Sequence, residues 1–331
     1  MAERGTLPLS GETFQVLSGD FQQSLTLYPA QPKENTMSTF TTADGCKLDY
    51  HLAGSSSSER TLVLLHGWSQ SRAMFDRVIP MLARHYRVVS YDQRGHGESD
   101  HPTHGARIAR LARDLDELLT HLHIEQADFA GHSMGASVLW SYLDLFGSAK
   151  VSSLIIIDQP SACTILPWLD PAEAAKVGAI VDFPGAEAFC KSFLGPDAAS
   201  VRHDFLVSML TRQISGEDLE WLYQENLKLD GGFGSRLLLD HIMQDWRDVL
   251  PRIDVPTLVI AGEVSHVNPA SQKWSAERIP GAQLRTFTAE EGGRTLPVLR
   301  AARAFRGRLA LLPRCPASAA YPGTRRLLMC L

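Results

Sequence analysis

The stretch Ala127-Asp128-Phe129-Ala130-Gly131-His132-Ser133-Met134-Gly135-Ala136 decides how this chain is read. Gly131 to Gly135 fits GxSxG, with a short apolar strand-like run, Ala127 to Ala130, before it and a helix-like segment, Met134 to Phe146, behind it. Between a strand and a helix the two glycines let the chain turn sharply, which leaves Ser133 at the strand's carboxyl end with its hydroxyl exposed. The helix opening at Met134 also offers backbone N–H groups and a positive dipole end to a developing oxyanion.

Strands and helices alternate outward from this turn. Thr39 to Tyr50 reads as a hairpin around Asp44-Gly45. Thr61 to Leu65, Tyr86 to Tyr91 and Val151 to Ile157 read as strands, and Met74 to His85 has helical spacing. Ile108, Leu111, Leu115, Leu118, Leu119 and Leu122 recur at three- and four-residue steps and mark an amphipathic helix. The rhythm breaks between Pro160 and about Val249, where Pro171 to Val181, Glu217 to Leu227 and Leu237 to Trp246 read as helices without a convincing strand. It resumes with a strand at Thr257 to Ala261, a helix over Ser271 to Ile279 and a strand at Gln283 to Thr288. Alternating β and α elements predict a mostly parallel central sheet flanked by helices on both faces. The expected organisation is an extension over 1–36, a core made of 37–160 and 250–293, a helical insertion over 161–249 and a tail over 294–331.

Three motifs in this order make the chain similar to the α/β-hydrolase superfamily over roughly Phe40 to Gly293. His66-Gly67-Trp68 resembles the family's oxyanion loop, Asp92 to Ser99 the loop after its fourth strand, and Gly131 to Gly135 its nucleophile elbow. The resemblance implies the α/β-hydrolase fold with a helical cap at 161–249. It makes Ser133 the nucleophile and the backbone N–H groups of Trp68 and Met134 the oxyanion hole. A serine at the elbow, rather than the aspartate of dehalogenases and epoxide hydrolases, points to ester, thioester, lactone or related acyl chemistry. A cofactor-free haloperoxidase or perhydrolase shares that constellation. A noncatalytic relative that binds a ligand or partner is the reading from a different class. No metal or organic cofactor is implied.

The acid and the base depart from the family pattern. Where the family often has GxxD after the penultimate strand, Gly262-Glu263-Val264-Ser265 ends in serine. A second family solution, seen in some haloalkane dehalogenases, puts the acid after the sixth strand, where Asp158 stands; Glu263 is the substitute. Such a carboxylate orients an imidazole and stabilises its charged form. The family's histidine follows a Gly pair after the last strand, but Gly292-Gly293 is followed here by Arg294-Thr295-Leu296, and no histidine occurs after His266. Without a base a serine hydroxyl keeps its proton at neutral pH. His66, His96 and His132 are accounted for by the loops that contain them, which leaves His266 as the replacement to consider.

The tail changes character at the same point. From Arg294 to Leu331 there are eight arginines and no Asp, Glu, Lys or His. Arg-Thr-Leu encoded as CGC-ACT-TTG, read two bases later, gives His-Phe, so the tail reads as a shifted frame, with a genuine basic tail as its rival. The rest of the chain carries 24 basic against 37 acidic residues, which disfavours nucleic acid as a partner. At 331 residues, 44% hydrophobic and 21% charged, the chain can bury a large core, and its apolar runs are too short to span a membrane. Met1 to Ser10 lacks the pattern of a secretory signal, and five unclustered cysteines indicate neither a disulfide framework nor a zinc site. A cytoplasmic setting is the expectation. Trp168, Phe183, Phe189, Phe193, Phe205, Trp221, Phe233 and Trp246 read mostly as core of the helical layer, some lining a pocket for an apolar small-molecule substrate.

Overall fold

A computed structural model describes residues 34–210 and 214–290. Among them eight strands form one sheet in the order β1-β2-β4-β3-β5-β6-β7-β8. The strands are β1 Glu34–Thr41, β2 Lys47–Gly54, β3 Thr61–Leu65, β4 Arg87–Tyr91, β5 Ala127–His132, β6 Val151–Ile157, β7 Thr257–Gly262 and β8 Gln283–Phe287. β1 and β2 form an antiparallel hairpin that turns at Gly45, β2 joins β4 antiparallel, and every later pairing is parallel. The hairpin begins at Glu34, so residues 34–36, expected in the extension, belong to the sheet. Residues 1–33 and the Arg-rich tail from Arg294 lie outside the described residues.

The apolar runs are buried on both faces, as a parallel sheet requires. Val63, Leu65, Val89 and Phe129 pack with the helices of one layer, while their neighbours Leu62, Leu64, Val88 and Ala130 pack into the core on the other face. The helices are α1 Ile79–Leu82, α2 Ile108–His121, α3 Met134–Phe146, α4 Pro171–Val177, α5 Phe183–Ser192, α6 Ala198–Ser208, α7 Gly216–Leu227, α8 Gly231–Ile242 and α9 Pro269–Ala276. α2 buries the predicted stripe of Ile108, Leu111, Leu115, Leu118 and Leu119. Its Asp114 forms an ion pair at 2.7 Å with Arg94, which is fully buried and also reaches Asp44 at 2.8 Å. That pair ties the loop after β4 to α2 and to the hairpin turn.

Several boundaries differ from the periodicity, each for a local reason. The helix expected over Met74 to His85 is instead a 3₁₀ turn at Arg72–Phe75 and the single turn α1. Pro80 sits in the first turn of α1, the place where its missing N–H is tolerated; a helix running through it would lose a bond and meet its ring. α4 ends at Val177 rather than Val181 because Gly178 is left-handed (φ 87°), and a Cβ there would lie 2.8 Å from Pro160 and Ser271. The helix expected over Leu237 to Trp246 runs instead from Gly231 to Ile242, started by Asp230, whose carboxylate accepts from the Phe233 N–H. α5 and α6 fill the stretch between these helices. Trp168 and Phe183, expected in the core, are 68% and 58% exposed, and the Trp168 indole donates to Asp245 at 3.2 Å.

Among the described residues the insertion between β6 and β7 holds helices α4 to α8 and two isolated bridges, Ala162 with Asp245 and Thr164 with Val181. No described helix is long and apolar enough to cross a membrane.

Candidate active site

The turn at Ser133 is built by close approach. Ser133 has φ 50° and ψ −121°, a left-handed conformation, and caps α3. A Cβ on Gly131 would fall 2.6 Å from the Gly135 carbonyl carbon and 2.7 Å from the Ala136 nitrogen, and one on Gly135 would collide with the Leu65 carbonyl oxygen. Both obstacles are backbone, which cannot swing aside, so these two positions require glycine. β5 thus passes tightly under the first turn of α3, and α3 abuts the end of β3. The strained serine is held by its N–H donating to the Ile157 carbonyl at 2.8 Å and by its own carbonyl accepting from Ala136 at 2.8 Å.

The loop after β3 lies beside this turn. Gly67 donates to the Gln70 side-chain oxygen at 2.9 Å, and that oxygen lies 3.1 Å from Nδ1 of His132. Gln70 therefore bridges the loop to the residue before Ser133, a role its sequence position did not announce. The Trp68 and Met134 backbone N–H groups meet no protein acceptor among the described residues. The Trp68 indole donates to the Gly234 carbonyl at 2.9 Å and packs edge-on to Phe193 at 4.9 Å.

Asp158 follows β6 directly, in a left-handed conformation (φ 55°), and is buried. Because Ser133 N–H bonds Ile157 and Asp158 N–H bonds Ile260 at 3.0 Å, the serine and this carboxylate stand on adjacent strand ends. Ser265, the residue in the usual aspartate slot, donates its hydroxyl to Asp158 Oδ2 at 2.6 Å. Glu263 points elsewhere: it is exposed and accepts the Ala289 N–H at 3.0 Å. His266, beside Ser265, is exposed, and its ring meets Phe205 edge-on at 6.3 Å. The position after Gly293 lies outside the described residues.

The other histidines of these loops are occupied structurally. His66 Nδ1 faces the Gly67 carbonyl at 2.8 Å while Nε2 accepts the Gln93 N–H at 3.0 Å, which assigns the proton to Nδ1. Complete burial holds its pKa well below the ordinary value. His96 packs edge-on to His66 at 5.0 Å, and burial lowers its pKa to about 4. Asp92 accepts the N–H groups of Arg72 and Glu98 at 2.7 and 2.9 Å, yet burial raises its pKa to about 6. Cys163, beside Gln159, is likewise raised by burial to about 11, which makes it a poor nucleophile. Among the described residues no group of three or more His, Cys, Asp and Glu side chains forms a metal site.

Comparisons with known proteins bear on the fold and the family. Residues 60–294 match the family model described as the alpha/beta hydrolase fold. A provisionally named non-heme chloroperoxidase of Synechocystis sp. is 31% identical over 232 residues, covering 66% of this chain and 78% of that protein. A bromoperoxidase structure from Bacillus anthracis superposes with TM-score 0.72 at 21% identity, over 82% of this chain and 96% of its own. An esterase structure from Exiguobacterium antarcticum gives TM-score 0.69 at 24% identity, over 76% and 91%. With the sheet order, the GxSxG turn and the loop after β3 in place, the chain belongs to the α/β-hydrolase family.

Proposed function

We propose that the chain is a serine hydrolase acting on an ester, thioester or lactone of a mainly apolar small molecule. The observation that carries this reading is the strained left-handed Ser133 at the start of α3. In this mechanism Ser133 Oγ attacks the acyl carbon, and the Trp68 and Met134 N–H groups receive the charge that develops on the carbonyl oxygen. Asp158 is the acid, with Ser265 holding one of its oxygens. The insertion acts as a cap, and the aromatic side chains it brings against Trp68 favour an apolar substrate.

The missing element is the base. Losing the histidine of such a unit leaves only ~10³- to 10⁴-fold catalysis over water, from the oxyanion hole and binding. The chain as written is therefore slow. Replacing everything after Gly293 with the sequence of the alternative reading frame, provided it encodes His-Phe and an amphipathic helix, should restore turnover. Ordinary ester turnover by the unaltered chain would instead make His266 the base, and His266→Ala would abolish it. A fluorophosphonate probe followed by mass spectrometry should modify Ser133; equal labelling of Ser133→Ala overturns the assignment.

A second reading, a cofactor-free haloperoxidase or perhydrolase, is favoured by the chloroperoxidase relative. Peroxide-dependent halogenation that requires added carboxylate would select it.

A further inference from the structure

We propose that Asn226 is a positioning residue for the oxyanion loop, acting through Ser69. The proposal rests on the reading that the Trp68 N–H is an oxyanion donor. Ser69, the next residue, is buried and left-handed, with φ 57°. Serine disfavours that region, so something must hold it there. Within the loop, Gln70 N–H reaches the Gly67 carbonyl at 3.3 Å, and the Gln70 side chain accepts the Gly67 N–H. These bonds close the turn without fixing the Ser69 side chain. That is done from outside by Asn226, buried at the end of α7, whose Nδ2 donates to Ser69 Oγ at 2.6 Å.

The neighbouring contacts decide where relaxation would fall. Downstream, the Ser71 hydroxyl donates to Glu225 Oε2 at 2.6 Å and accepts the Ala73 N–H at the start of the 3₁₀ turn. Lys228 in turn holds the other Glu225 oxygen at 2.9 Å. Upstream, Trp68 is held at the far end of its side chain, by the indole bond to Gly234 and by edge-on packing on Phe193 and Phe205, while its backbone N–H meets no acceptor among the described residues. A Ser69 that escapes to negative φ meets a fixed residue on its carboxyl side, so the adjustment displaces the Trp68 backbone. The insertion thereby sets the aim of the N–H that receives the oxyanion.

The test measures fluorophosphonate inactivation of the full chain, resolved into the maximal rate kinact and the half-saturating probe concentration KI by intact-protein mass spectrometry. Deleting an oxyanion donor costs about 10²- to 10³-fold, and a displaced donor should cost less. Asn226→Leu should lower kinact roughly tenfold with KI unchanged. Ser69→Ala, which removes the other end of the same bond but keeps the Cβ, should do the same, and the double variant should lose no more than either. Adding Ser69→Gly to Asn226→Leu should recover most of kinact, because glycine takes the left-handed conformation freely. A side chain that merely helped the insertion fold would show no such recovery. Parental kinact in both single variants, or additive losses, overturns the proposal. Amide exchange at Gly67 and Gln70 gives a readout independent of Ser133, with protection expected to fall about tenfold in Asn226→Leu. If the parent chain, lacking the histidine, is labelled too slowly at Ser133 to resolve kinact, the same series is run in the version with the histidine restored; no labelling there fails the nucleophile assignment separately, and unchanged exchange still overturns the clamp.

Discussion

Replacing Ser133 by glycine should stabilise the fold while removing its proposed nucleophile. At φ 50° and ψ −121° a residue with a Cβ is held in a region that costs about 1–3 kcal/mol. Alanine at 133 keeps that Cβ and loses only the hydroxyl, so Ser133→Ala isolates the effect of removing the oxygen. Glycine relieves the strain but loses about 0.4–1 kcal/mol through the greater freedom of its unfolded chain. At mid-range values the difference leaves Ser133→Gly more stable than Ser133→Ala by about 1 kcal/mol. In a domain of this size that corresponds to a melting temperature higher by roughly 2–4 °C. The backbone bonds to Ile157 and from Ala136 survive in both variants. Urea unfolding followed by tryptophan fluorescence should show the shift in midpoint with the slope unchanged. A glycine variant no more stable than the alanine variant would refute the idea that strain is stored at the elbow.

The remaining expectations concern the acid, a buried ion pair and pH. In a version with the histidine restored, Asp158→Asn should lose activity while staying folded, and Glu263→Gln should not; the reverse outcome transfers the role to Glu263. Arg94→Met leaves Asp114 buried without its main partner and should cost about 3–5 kcal/mol in urea unfolding, whereas an exposed pair such as Lys191 with Glu187 should cost under about 1. His66, His96 and His241 all have folded pKa values lowered by burial, the last two to about 4, so the unfolded chain binds more protons below the ordinary histidine value and stability falls as pH drops through 6 towards 4. Asp92, raised to about 6, acts in the opposite sense, because its folded carboxyl holds a proton that the unfolded one releases. His51 is lowered in the same way as these histidines, and Asp76, Asp114 and Asp240 are raised from a carboxylate value that lies further below this window. The histidines therefore set the sign between pH 6.5 and 5, and the urea midpoint should be lower at pH 5; equal midpoints at the two pH values would contradict it.

The sequence by itself determined the elements whose cause is local. The GxSxG turn was legible because its two glycines answer to backbone a few residues away and to the adjoining strand end. The doubly buried strands showed as unbroken apolar runs, and α2 as a stripe with helical period. Pro80 and Gly178 also carry local signals, a missing N–H and a left-handed residue, and weighing them against periodicity would have corrected the helix boundaries around them. Tertiary structure alone decided the rest. Ser265 reads as an empty aspartate slot until the sheet brings β7 next to β6, where its hydroxyl meets Asp158 across 107 residues of chain. Asn226 and Ser69 are 157 residues apart, and neither type at either position carries a pattern. Such contacts depend on the order in which strands assemble and on where the insertion folds back. Short-range periodicity records which face of an element is buried, but it does not record the side chain that face will meet.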